Sequence, residues 1–232
     1  MRFVVGGNRV DSRPNIKIVS CTRGIKTDTV LYQSLLHSTY GDCVIWYEHN
    51  DKPLTVCYNE VIDSYRKETD QPIIVFVHDD VWLDDINFPE KLKTYSNRYD
   101  IMGVAGATKV NMNNEVIAWH LINGDCKYGS VMHRSNGVYF MSDFSAGKKT
   151  PKQVLTIDGL FMAMTPSAYN DIKFDYQFMW DFYDLDLCIE AYNHKLNVGV
   201  IPIQVTHESC GEGVNSYKYK EAQKLFTHKW ST

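Results

Sequence analysis

The feature that most limits the fold of this chain is an alternation, across its first hundred residues, between short runs of β-branched and aromatic residues and longer stretches with helical periodicity. "IKIVSC" (16–21), "CVIWYEHN" (43–50) and "IIVFV" (73–77) read as strands. "DTVLYQSLLHS" (28–38) lies between the first two and offers Asp28 as a helix cap. After Pro53, residues Leu54, Tyr58, Val61, Ile62 and Tyr65 recur at i, i+4, i+7, i+8 and i+11, the pattern of one helix face. "PEKLKTYSNRY" (89–99) predicts a short helix before a fourth strand around "DIMGVAGA" (100–107). Parallel strands need crossovers that pack back onto the sheet, so a βαβαβ opening predicts an α/β fold. Its core is expected to be a mostly parallel, Rossmann-like sheet flanked by helices.

Beyond Thr108 the alternation fades into a polar stretch, rich in Asn, Gly, Tyr and Lys, that runs to Pro151 and predicts loops and short hairpins laid over the sheet. "LTIDGLFMAM" (155–164) then predicts a strand broken by Asp158 and Gly159. "WDFYDLDLCIEAYNH" (180–194) predicts a helix with Leu185, Cys188, Ile189 and Tyr192 on one face. "NVGVIPIQVTH" (197–207) is expected as a last strand and "YKEAQKLFTHKW" (219–230) as a terminal helix. The sequence carries no internal repeat or linker, and 232 residues of which 44% are hydrophobic can bury one full core. Residues 1–232 are therefore expected to form a single domain.

A net charge of −4 excludes a chain-wide cationic surface for nucleic acid and leaves a local one open. Cys21, Cys43, Cys57, Cys126, Cys188 and Cys210 are scattered without a C-x-x-C pair, as expected for reduced thiols of a cytoplasmic protein. The first residues, "MRFVVGGNRVDSRP", contain too short an apolar run for a signal-peptide core, and no later window approaches a membrane span. A soluble, cytoplasmic protein is the expectation.

The third strand ends in His78, Asp79 and Asp80, where two adjacent carboxylates repel each other. Ligands of open parallel sheets bind at the carboxyl ends of strands, and hard carboxylate oxygens there suit Mg²⁺ or Mn²⁺, which offsets the repulsion and bridges a diphosphate. The same pair also serves as a turn cap facing water. The alternating Asp-x-Asp-x-Thr/Val pattern of haloacid dehalogenase chemistry is absent. Farther on, Asp181 and Asp184 stand three residues apart at the start of a helix and are expected to share one of its faces. Partial burial there would raise a carboxylate's proton affinity toward that of a general base, while complementing the helix dipole explains the same acids. His207 closes the last strand beside a Gly-rich segment, as an imidazole ligand or a structural residue; His49, His78 and His120 carry the same two readings.

Taken in order, "SCTR", the Asn of "VCYNEVIDSY", "VFVHDDVWL", "TIDGLFMAM" and "FYDLDLCIEAYNHKLNVGVIPIQVTHES" resemble the GT-A glycosyltransferases. The likeness spans roughly residues 15–210 and is greatest to family-two-like bacterial and phage sugar transferases with an "FVHDDV" signature. The resemblance implies that "HDD" stands for the acidic DxD-type motif, with Asp80 a metal ligand, Asp79 a donor contact and His78 in place of the first Asp. It implies that Asp184 is the catalytic base, with Tyr183 where the family has Glu, and that His207 is a second metal ligand. Thr22, Arg23, Glu48 and Asn50 would meet the nucleotide base and ribose, Asn59 matches the family's helix Asn, and Asp158 and Gly159 match the segment facing donor and acceptor. About residues 1–107 would then bind the nucleotide sugar, and about 108–232 the acceptor. Mn²⁺ or Mg²⁺ as cofactor, a UDP-sugar as donor and inversion at the anomeric carbon complete what the resemblance implies.

The acceptor divides the expectation. A cell-surface glycan is one choice; hydroxymethylcytosine in phage DNA, arabinosylated or glucosylated in the host cytoplasm, is the other. For DNA, Lys109, Lys127, Arg134, Lys148, Lys149 and Lys152, with Lys218, Lys220, Lys224 and Lys229 of the last helix, offer charges for phosphates. Trp119, Tyr128, Tyr139 and Phe140 offer rings for an extruded base, although a solvated loop of mixed charge fits the same residues. Outside the enzymes, a non-catalytic nucleotide-sugar or carbohydrate-binding module shares the fold.

Overall fold

The computed structural model describes residues 14–36, 38–208, 214 and 216–231; the amino-terminal segment, Cys210 and the glycines that follow it lie outside. The strand-forming runs begin as the alternation predicts. β1 (Ile16–Cys21) pairs in parallel with β2 (Val44–Tyr47) on one side and with β3 (Ile73–Val77) on the other. β3 is buried along its whole length because its five apolar side chains meet packed elements on both faces. α1 (Val30–Leu35) and α2 (Leu54–Tyr65) make the crossovers. α1 is capped by Thr29, whose hydroxyl accepts from the Tyr32 N–H at 3.1 Å, so the cap falls one residue after the expected Asp28. On α2, Cys57, Tyr58, Val61 and Ile62 are buried; removing each larger one from water contributes about 1.5–3 kcal/mol.

From β3 onward the chain moves repeatedly between two sheets. β4 (Val81–Leu83) leaves the first sheet, α3 (Phe88–Tyr95) follows, and β5 (Ile101–Gly103) returns to it. The expected fourth strand is two strands, because at Val104 the chain turns into β6 (Ala105–Ala107) of the second sheet. The polar stretch holds more regular structure than loops and short hairpins: β7 (Lys127–Ser135) and β8 (Val138–Asp143) pair over six positions. β9 (Lys152–Gln153) joins the edge of the first sheet. β10 (Thr156–Ile157) belongs to the second sheet and β11 (Phe161–Met164) to the first, so the expected break at Asp158 and Gly159 is a crossing. After α4 (Pro166–Asp171) and α5 (Tyr183–Asn193), β12 (Val198–Val200) and β13 (Val205–His207) again divide one expected strand between the sheets, and α6 (Tyr217–Trp230) packs last.

The first sheet has the order β2-β1-β3-β11-β5-β12-β9 and the second β10-β6-β7-β13-β4, with β8 on β7. The parallel opening persists in β1, β2 and β3 and in the β5–β12 pair, whereas β11 runs antiparallel to both neighbours, so the central sheet is mixed. One continuous core joins the sheets and helices, an α/β single domain. On α5, Leu185 and Cys188 are buried, but Tyr192 is 68% exposed and does not share their face. The five described cysteines are free thiols, and no described helix is long and apolar enough to cross a membrane.

α2 is tied to the chain after α4. Asn59, fully buried, donates to the Phe174 carbonyl at 2.8 Å and accepts from the Phe174 N–H at 3.0 Å, while Arg66 donates to the Ile172 carbonyl at 3.0 Å. Both ends of the Asn59 amide are therefore committed to the scaffold. Asn59→Ala strands a buried donor and a buried acceptor, and urea denaturation should show a loss of about 2–4 kcal/mol. Nucleotide affinity measured on the folded fraction should not change.

Candidate active site

The site forms where the chain passes from one sheet to the other. Residues 78–80 connect β3 to β4, residues 158–160 connect β10 to β11, and the His78 N–H donates to the Leu160 carbonyl at 3.1 Å, fastening the two crossings together. β4 and β13 are antiparallel with His207 opposite Val81, a register that brings His207 beside the residue preceding Val81. That residue is Asp80. Its Oδ2 lies 3.2 Å from His207 Nε2, and the Glu208 N–H donates to its carbonyl at 2.9 Å.

Burial raises the proton affinity of the Asp80 carboxyl, but the hydrogen bond and charge of His207 outweigh it and hold Asp80 below the usual carboxylate range. Burial pulls His207 the other way, and the bond and charge of Asp80 prevail to raise it. His78 is held below the ordinary imidazole value, chiefly by burial. Asp80 Oδ1 is buried with no hydrogen-bond partner. One ligand atom each from His78, Asp80 and His207 lie within 4.8 Å of one another, so two imidazoles and a carboxylate with an unsatisfied oxygen converge. This donor set fits a divalent transition metal ion, and the orphaned oxygen is the group such an ion would satisfy.

A cleft of about 480 Å³ opens over this cluster and is lined by Thr22, Arg23, Asn50, Asp79, Asp80 and His207, among others. Thr22 and Asn50 meet because β1 and β2 are parallel: the Thr22 N–H donates to the Tyr47 carbonyl and the Asn50 N–H to the Thr22 carbonyl, both at 2.9 Å. Of the expected donor contacts, Glu48 is exposed and accepts from the Lys26 N–H at 2.8 Å, outside the residues that line the cleft. Asn59 also lies outside them, in the core.

A second, smaller pocket shares His78 and Trp180 with the first and is lined by Trp119, Asp158, Asp184 and Tyr219. Asp184 sits in the first turn of α5. Its Oδ2 accepts from the Gly159 N–H at 2.9 Å and its Oδ1 from the Leu185 N–H at 2.8 Å. Burial, and then the nearby charge of Asp158, push the Asp184 carboxyl up to about 7. Asp158 is oriented by the Trp119 Nε1–H, which donates to its Oδ2 at 3.0 Å. Asp181 reaches the same pocket but precedes α5, separated from Asp184 by Phe182 in the left-handed region at φ 65°, so the two acids do not share a helix face.

Sequence reasoning passed over Trp180 and named Trp119 only among the rings for an extruded base, not as the partner of Asp158. Tyr183 was visible only as a substitution for the family's Glu. In the structure its buried hydroxyl donates to the Gly159 carbonyl at 3.2 Å and lies 2.8 Å from His78 Nε2. A Cβ on Gly159 would sit 2.3 Å from that oxygen, so glycine is required there.

The fold has a counterpart among solved structures, and the sequence matches a family model. No curated protein matches the chain. Among solved structures, the crystal structure of A197 from STIV matches with a TM-score of 0.52 and 13% identity over 84% of this chain and 86% of that one, a likeness of fold. The model of the glycosyltransferase-like family matches residues 36–230, which include "HDD", Asp158, Asp184 and His207. That match takes in the second cleft and, of the first, every lining residue from Asn50 onward, while β1 with Thr22 and Arg23 precedes it, and the chain belongs to the glycosyltransferase-like family.

Proposed function

We propose that this glycosyltransferase moves a sugar from a nucleoside diphosphate donor, a UDP-sugar, to a glycan hydroxyl with inversion at the anomeric carbon. The observation that carries the reading is the pair of adjoining clefts. One holds the cation-ligand candidates, the other a carboxyl raised to about 7, and His78 and Trp180 belong to both. Apart from Trp180 and His207, the first cleft is lined from the first 107 residues; apart from His78, the second is lined from the rest. This division supports a donor-binding half followed by an acceptor-binding half.

In the donor cleft, Thr22, Arg23 and Asn50 receive the base and ribose, and Asp79 contacts the donor. Asp80 and His207, with His78 as a third ligand, hold a divalent cation; two imidazoles favour Mn²⁺ over Mg²⁺, which prefers an all-oxygen shell. When bound, the cation supplies positive charge to the departing diphosphate. Asp184 takes the proton from the acceptor hydroxyl as its oxygen attacks the anomeric carbon and the bond to the diphosphate breaks. Two backbone N–H groups hold Asp184 in place and leave lone pairs for that proton. One displacement with one base inverts the centre.

The surroundings of Asp184 favour a glycan over DNA. Asp158, Asp181 and Asp184 line one pocket and would repel a phosphate backbone, whereas sugar hydroxyls donate to carboxylates and sugar C–H faces stack on rings such as Trp119, Trp180 and Tyr219. Three of the cations expected to follow phosphates have acidic partners, Lys224 among them with Glu221 at 2.7 Å. Arg134 pairs with Glu208 at 2.7 Å, and Lys229 with Asp175 and Asp186 at 2.9 and 2.8 Å.

Calorimetric titration of UDP should give binding that needs Mn²⁺ and is lost in Asp80→Asn; binding indifferent to metal overturns the ligand assignment. With donor and glycan acceptor, Asp184→Asn should lower kcat by about 10²–10⁴-fold and leave donor affinity unchanged, which also separates an enzyme from a binding module. The base works only when deprotonated, so kcat should rise with pH and level off above about 7. A flat profile between pH 5.5 and 8 removes Asp184 from the proton transfer. Turnover on hydroxymethylated duplex DNA but on no glycan would overturn the acceptor assignment.

A further inference from the structure

Tyr183 has one hydroxyl proton and two polar neighbours. The Gly159 carbonyl oxygen, at 3.2 Å, can only accept, so the hydroxyl donates there. The contact of 2.8 Å with His78 Nε2 must then be made the other way, with the imidazole N–H donating to the phenol oxygen. A neutral imidazole carries one N–H. With Nε2 protonated, Nδ1 is left with an open lone pair, the form in which imidazole binds metal ions.

The surroundings allow little else. The Tyr183 ring is 4% exposed and packs against Tyr58 and Phe174 with centroids 6.1 and 6.0 Å away. The left-handed turn at Phe182 directs the chain into this position, and the missing side chain of Gly159 makes room for the hydroxyl. Neighbouring Asp184 accepts from the N–H of the same glycine, so the acceptor that orients the phenol is itself held.

We propose that Tyr183 is a positioning residue that fixes His78 as the Nε2–H tautomer and thereby keeps its Nδ1 lone pair available to a divalent cation shared with Asp80 and His207. The inference rests on the metal-dependent reading above and adds to it the residue standing where the family's Glu would be. A partner that fixes the ring and tautomer of a ligating histidine typically changes metal affinity by 10–100-fold.

The first test needs neither metal nor donor. In ¹⁵N-histidine-labelled wild-type protein at pH 8, with His78 assigned by its absence from His78→Asn, long-range ¹H–¹⁵N correlation should show a protonated Nε2 and an unprotonated Nδ1. A protonated Nδ1 overturns the proposal without reference to any variant. In Tyr183→Phe, which keeps the ring and loses the hydroxyl, His78 should become a mixture of tautomers, with folding checked by circular dichroism. Titration with Mn²⁺ alone, followed by the electron spin resonance signal of the free ion, should show binding weakened by about 10–100-fold in this variant. Equal Mn²⁺ affinity in the two proteins overturns the role of Tyr183 alone, whereas no Mn²⁺ binding by the wild type overturns it together with the metal-dependent reading.

Discussion

The backbone of Gly159 is held at both its polar groups by consecutive residues, Tyr183 on its carbonyl and Asp184 on its N–H, and the rest of the site depends on that grip. Two neighbouring side chains at a helix start reach one glycine only if the backbone turns sharply just before them. Phe182 provides the turn in the left-handed conformation, at a cost of about 1–2 kcal/mol for a residue with a Cβ. Its ring is buried against Tyr219 and Phe226, with centroids 4.8 and 4.9 Å away, which offsets that cost. Because Gly159 lies in a crossing between the sheets, the grip sets both where Asp184 stands and how His78 is partnered.

The same arrangement separates two carboxylates into different states. Asp80 faces an imidazole that outweighs its burial and holds it ionised; Asp184 is pushed toward neutral pH by burial and then by another carboxylate. Residue type does not distinguish them. What differs is whether a neighbour opposes the effect of burial or adds to it, the condition under which one aspartate suits a cation and another a proton. The repulsion expected in "HDD" is answered in the same way, since Asp80 turns to His207 while its second oxygen remains open to a ligand.

Much of the fold was legible because burial writes a local period into the chain. β3 and α2 lie where their apolar patterns put them, and Asp158 and Gly159 interrupt a strand as expected. The crossings were not legible. An apolar run through Val104 has the same composition whether it continues in one sheet or bends into another, since both sides of the bend are buried. The length of the β7–β8 hairpin, where only short hairpins were expected, was hidden for the opposite reason: Val138, Tyr139, Phe140 and Met141 are all at least 44% exposed and show no inside–outside alternation. Asn59 marks the limit of motif matching, because the family resemblance set it among the donor contacts while both ends of its amide bind backbone in the core.

The sequence by itself determined the α/β class, the parallel start of the sheet, the helix of Asp184 and the candidacy of Asp80 and His207, because each follows from local periodicity or from chemistry carried in short motifs. Only the tertiary structure decided that residues 78, 80, 158, 183, 184 and 207 meet, because that depends on strand register and on where the chain changes sheets. It also decided the state of each group. Proton affinity and tautomer are set by burial and by partners brought from as far as 105 and 127 positions away in the chain, and no local pattern encodes those neighbours.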